Sequence, residues 1–258
     1  MAPVYADHPF ALIPTPGFLV RSRSRNEEPD LFDRVASEMA LVHNVIIRGL
    51  NSIYLQAPHI RPEDEKPFCH YVSSWCRFLD VHHGNEEDSF FPFVEEMTGV
   101  KGIMDANIDQ HKAFHDGVEE LEACVGAVLA NEDKYDGSRV VGTIDRFGTV
   151  LMQHLTDEVA TILGLRPYGD KLAGLPKLLD EEGGKSMKQL GNFAGVWAFA
   201  NIDLQYENAM WQDWPAAPTP AKLLMRSVFW WIYADARKFG AVDRAGNLRH
   251  LYAVPESA

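Results

Sequence analysis

Apolar residues recur at helical spacing through four long stretches of the chain, and the polar stretches between them are short. From Leu31, "LFDRVASEMALVHNVIIRGLNSIYLQ" places Phe32, Val35, Met39, Val42, Ile46, Leu50 and Ile53 on one side, a period that predicts an amphipathic helix. It starts near Pro29-Asp30 and stops at the proline-bounded loop "APHIRPEDEKP". A second helix runs from about Pro67 through Phe68, Val72, Trp75, Leu79 and His82 to Phe91, where Pro92 ends or kinks it. A third spans roughly Asp105 to Ala130 and precedes the turn "NEDKYDGS"; a fourth spans about Ser138 to Leu163, closed by Gly164 and Pro167. Four such helices with short connections predict an all-α fold, an up-down-up-down four-helix bundle over residues 30–165.

The flanks have a different texture. Residues 1–29, rich in Pro, Ser and Arg, predict an irregular arm, and residues 166–258 predict three or four further helices. This second segment holds five of the six tryptophans, so it should pack on the bundle rather than stand as a domain of its own.

Composition narrows the classes. A chain of 258 residues, 46% hydrophobic and 24% charged, can bury a sizeable core, and neither disorder nor a fibrous class is suggested. A net charge of −13 argues against nucleic acid or an anionic membrane surface as a partner. The N-terminal "MAPVYADHPFALIPTPGFLV" has no basic lead and is broken by Pro14 and Pro16, so it does not read as a secretory signal. No apolar run approaches the roughly 20 residues of a membrane span. Cys69, Cys76 and Cys124 show no disulfide-framework spacing and read as small buried apolar residues. The expectation is a soluble, cytoplasmic protein.

Histidines and glutamates change the picture. His43 lies in the first helix among Met39, Ile46, Ile47 and Leu50, and "HHGNEED" ends the second helix's apolar face. The third helix carries His111 and His115 four apart, and the fourth carries His154 and Glu158 four apart. A lone histidine on an apolar face is more often a satisfied core residue than a ligand. Residues i and i+4, however, sit one above the other on a helix, so each pair can grip a metal. Counted from the turns at about 1.5 Å per residue, these donors also fall at similar depths in the bundle. Face and depth together make a metal site the reading of choice.

Two doublets compete in "HHGNEED". The His82/Glu86 face continues through Trp75, Phe78, Leu79, Phe90 and Phe93, whereas the His83/Glu87 face includes Cys76 and Asp80. The first, more apolar, is expected inside. His83, Glu87 and Asp88 are then expected on the flank, solvated or hydrogen-bonded to ligands, with solvation the plainer reading. Asp157, Glu119 and Glu122 read as surface charge, although the two glutamates lie near enough to the His115 face to serve as partners. Five imidazoles (His43, His82, His111, His115, His154) and two carboxylates (Glu86, Glu158) are too many donors for one ion and fit two. By ligand type they suit iron, copper, zinc or manganese.

His43, His82-x-x-x-Glu86 followed by Phe91-Pro92, His111-x-x-x-His115 and His154-x-x-x-Glu158 resemble the hemerythrin (HHE cation-binding) family. "HNVIIRGLN" and "HHGNEEDSFFP" are similar to its fungal members, and the motifs cover residues 31 to about 163. The resemblance implies a non-haem centre of two iron ions, with His111, His115 and His154 on one iron, His43 and His82 on the other, and Glu86 and Glu158 bridging. It also implies dioxygen as the ligand of the five-coordinate iron.

The chain departs from the oxygen-carrying members in three places. The link between His43 and His82 is longer, the carboxylate after His154 is four residues on rather than five, and there is the C-terminal extension. Two function classes follow, besides a purely structural metal. Either the centre binds dioxygen or iron for storage, carriage or sensing, or it activates dioxygen to oxidise a small organic substrate in a pocket closed by the extension. The small number of carboxylates favours binding; the extension favours the enzyme. Catalytic residues, substrate and oligomeric state are not legible.

Overall fold

The computed structural model describes residues 3–24 and 27–255. Among these the chain is all-helical, with only an isolated bridge between Val242 and Leu248. Helix α1 spans Pro16–Arg23, α2 Leu31–Gln56, α3 Glu65–Asn85, α4 Phe91–Thr98, α5 Asp105–Leu129, α6 Gly137–Gly164 and α7 Leu175–Phe199. A wide turn, Glu86–Phe90, joins α3 to α4. Successive long helices are neighbours, α2 beside α3, α3 beside α5, α5 beside α6 and α6 back beside α2, which closes a four-helix bundle. No helix among the described residues is long and apolar enough to cross a membrane.

The cause of each boundary is local. Asp30 caps α2 reciprocally with Asp33: the Asp33 N–H donates to Asp30 Oδ1 at 2.8 Å and the Asp30 N–H to Asp33 Oδ2 at 3.0 Å. Asp136 caps α6 by accepting from the Ser138 and Arg139 N–H groups. Gly99, at φ 74°, ends α4 in the left-handed conformation that glycine adopts without penalty. Pro92 does not stop the second helix. It has no N–H to offer the Asp88 carbonyl and would press its ring against it, and the turn widens so that Phe91 N–H reaches back five residues to Glu86.

The arm expected at residues 1–29 is less irregular than its composition suggests. It contains α1, started by Thr15 and Pro16. It is also strapped along α2 by two buried asparagines seven residues apart. Asn44 accepts from Ile13 N–H at 2.8 Å and donates to Ile13 C=O at 2.9 Å, and Asn51 serves Phe10 in the same way at 2.9 Å for both bonds. Each amide satisfies one residue's backbone completely, as a neighbouring strand would.

The extension shares the bundle's core. Trp197 of α7 packs 5.9 Å from Tyr71 and 5.2 Å from Phe78, ring centre to ring centre, and Phe239 lies 5.0 Å from Phe68. The Tyr71 hydroxyl pairs with Asn201 at 2.9 Å. Gly49 in α2 makes this docking fit: a Cβ there would meet Trp197 at 2.4 Å and Trp75 at 2.8 Å. Gly49→Ala should therefore destabilise the protein by about 1–3 kcal/mol, the usual cost of overpacking. Gly142→Ala, in the interior of α6 with nothing within 4 Å of its added carbon, should instead stabilise by about 0.5–1 kcal/mol. Chemical denaturation of the two variants checks the opposite signs.

Candidate metal centre

Two groups of four donors form in the middle of the bundle, each with ligating atoms within 4.8 Å of one another: His43, His82, Glu86 and Glu158, and His83, Glu86, His111 and His154. All four bundle helices contribute. Glu86 belongs to both groups, with Oε1 3.1 Å from His82 Nε2 and Oε2 3.6 Å from His111 Nε2. Glu158 also spans them, its Oε2 3.3 Å from His43 Nε2 and 3.8 Å from His154 Nε2. Each carboxylate thus faces imidazoles of both groups.

The structure gathers six of the expected donors, His43, His82, Glu86, His111, His154 and Glu158, and corrects the seventh. His115 points outward, 64% exposed and 3.2 Å from Glu119. Its place is taken by His83, buried and stacked 4.1 Å from His111. The reason lies in the seams. On α5 the inward positions step alternately by four and three residues, Asn107, His111, Phe114, Val118, Leu121, Val125, Val128, so the position after His111 is Phe114 and His115 is rotated off. On α3 the same stepping runs Val72, Cys76, Leu79, His83, Glu86, which puts His83 inside. The apolarity of the His82 face misled because α3 is covered on two sides. Phe78 and Val81 pack under α7, with Leu190 and Ala194, and not in the bundle interior.

The outer nitrogens are held by partners that fix which nitrogen faces in. His43 Nδ1 donates to the Leu155 carbonyl at 2.7 Å, His111 Nδ1 to Glu87 Oε1 at 2.7 Å, and His154 Nδ1 to Gln110 Oε1 at 3.2 Å. The Gln110 amide is itself oriented by Asp157, to which it donates at 2.9 Å. With protons on Nδ1, the Nε2 lone pairs all face the interior. His111 and His154 then aim two lone pairs at each other across 3.1 Å. A metal ion between them would accept both lone pairs.

Orphaned atoms make the same point independently. Among the described residues ten buried side-chain atoms find no hydrogen-bond partner, and seven are in this cluster: Nε2 of His43, His82 and His83 and all four oxygens of Glu86 and Glu158. Buried polar atoms are normally paired, so a concentration of unpaired ones marks an ion site. Burial, helped by the neighbouring imidazoles, pushes His82 and His83 well below the usual histidine range and His154 down to about 2, so all three stay neutral with lone pairs free. Burial and, after it, the Glu158 charge push the Glu86 carboxyl well up. A cation between the two carboxylates removes that repulsion, and these residues fit a metal.

A model of the hemerythrin HHE cation-binding domain matches residues 34–165, half of the chain. The chain belongs to the hemerythrin HHE family. Cation binding by this domain is therefore the family's property, and the His/Glu clusters described above fit such a site. The dimeric xanthone biosynthesis cluster protein R11 of Cryptosporiopsis sp. (strain 8999) is 32% identical over 225 residues, 86% of this chain and 83% of that protein. That match is longer than the bundle and runs into the segments packed on it. No solved structure matches the chain.

Sequence reasoning missed His83 as a donor and Gln110 as a partner, and for Glu87 preferred solvation to a hydrogen bond with a ligand. The four-three stepping of the seams could have found the first. The other two depend on how neighbouring helices meet. His83→Ala should lower metal affinity by more than the 10- to 100-fold typical of losing an outer partner, and His115→Ala should leave it unchanged. Metal content after dialysis, measured by elemental analysis, checks both.

Proposed function

We propose that the protein holds two non-haem iron ions and binds dioxygen at one of them. The observation that carries this reading is the asymmetry of the donors around two shared carboxylates. One side offers three imidazoles, His83, His111 and His154, and the other two, His43 and His82. As ligands, two carboxylates and five imidazoles would bring only two negative charges to two divalent ions. The site therefore stays cationic, which favours binding an electron-rich ligand over building a strongly oxidised centre. A pair of ferrous ions held by these residues would supply the two electrons that reduce bound dioxygen.

The chain's own residues do the rest. Glu86 and Glu158 hold the two halves together. The Nδ1 partners of His43, His111 and His154 keep these rings from turning. Phe91 and Phe114, 5.7 Å from His111 and 5.5 Å from His154, keep bulk water from that side.

A second reading has an observation of its own. The fungal relative is named for a biosynthetic cluster and matches this chain beyond the bundle, which suits an enzyme that uses dioxygen to oxidise a small organic molecule. The two best-formed cavities among the described residues lie away from the donors. A polar cleft of about 540 Å³, lined by Ala57, Glu65, Tyr135 and Arg139 among others, begins 14 residues beyond His43, about 20 Å along α2. A crevice between α3 and α7, lined by Tyr71, Phe193 and Trp197, holds only about 10 Å³, far below the roughly 300 Å³ of a substrate pocket.

Loading with ferrous iron under nitrogen, followed by admission of oxygen, tests both. A visible charge-transfer band that forms and disappears on evacuation is the result expected for binding. Irreversible conversion to a ferric form, with oxygen consumed, would contradict it and support the oxidising reading.

A further inference from the structure

We propose that Glu87 is the positioning residue for the metal ligand His111, and that it lends negative charge to the half of the centre built on three imidazoles. The proposal rests on the cluster's being a metal centre and not on its use of dioxygen.

The geometry is specific. The Glu87 carboxylate accepts from His111 Nδ1 at 2.7 Å, while His111 Nε2 faces Glu86 and His154. The carboxylate holds the proton on Nδ1 and aims the lone pair of Nε2 inward. A partner of this kind also makes the imidazole a stronger donor. Of the three imidazoles with an Nδ1 partner, His43 has a backbone carbonyl and His154 a neutral amide. Glu87 is the one charged acceptor among them.

Local structure explains how consecutive glutamates take different parts. Glu86 and Glu87 open the wide turn ahead of Pro92 and point about 100° apart. Glu86 faces the bundle axis and is buried; Glu87 faces α5, and its side chain is 44% exposed. The carboxylate therefore keeps part of its hydration, and holding a charge there costs little desolvation. Its influence on His111 is directional, through one short bond, and the next residue, exposed Asp88, has the same charge without the bond. That difference separates positioning from net charge.

The test compares Glu87→Ala, Glu87→Gln and Asp88→Asn in the full-length protein. Affinity for zinc(II) and iron(II) is measured by chelator competition, and reduction potential by spectroelectrochemistry of the iron form. Glu87→Ala should lower zinc and iron affinity 10- to 100-fold. Glu87→Gln, whose amide oxygen still accepts from Nδ1, should recover most of it yet move the potential to more positive values. Asp88→Asn should match the parent. A Glu87→Ala affinity within twofold of the parent, or an equal loss in Asp88→Asn, overturns the proposal. Parent protein that binds zinc but no iron refutes the proposed function alone, since the zinc series still decides the part played by Glu87.

Discussion

Seven buried donors that cannot satisfy one another dominate this protein. Two carboxylates and five imidazoles converge from four helices, and most of their inward nitrogens and oxygens find no hydrogen-bond partner. Burying such groups unpaired costs several kcal/mol apiece in a protein interior. A cation turns each of those costs into a bond. The bundle thus acts as a scaffold that holds these donors together at its centre.

Much of the surrounding structure serves to keep those donors from relaxing. The apolar seams of α2, α3, α5 and α6 set the depth of each ligand. Outer hydrogen bonds to Leu155, Glu87 and Gln110 stop three of the rings from flipping to face solvent or one another with the wrong nitrogen. The wide turn forced by Pro92 directs Glu86 inward and Glu87 sideways. On the outside, α7 reaches the same turn: Asn85 donates to Ser186 and Gln189 at 2.8 and 3.0 Å, and Lys185 reaches Ser89 at 3.4 Å. The extension is thus mechanically joined to the ligand-bearing segment, whatever else it does.

The helices and most of the centre were legible in the sequence because they depend on short-range periodicity. Boundaries of α2, α5 and α6 follow from caps and breakers within a few residues of each end. Six donors followed from faces and depth. The exchange of His83 for His115 was not read, for a physical reason. Apolarity ranks faces correctly when one side of a helix is solvated, and α3 is covered on both sides, by the bundle and by α7. The strap at Phe10 and Ile13 was missed as well, because Asn44 and Asn51 look like ordinary polar positions until a backbone is laid beside them. "HHGNEED", which suggested one ligand pair with a decoy, uses all four of its histidines and glutamates. His82, His83 and Glu86 lie in the donor clusters, and Glu87 accepts from His111 of another helix.

Anomalous diffraction at the iron edge from crystals of the iron-loaded protein tests the central claim most directly. Two peaks between α2, α3, α5 and α6 are expected, with Glu86 and Glu158 touching both, His83 in the shell of one and His115 in neither. A single peak, or a peak bonded to His115 with His83 turned away, would contradict the account.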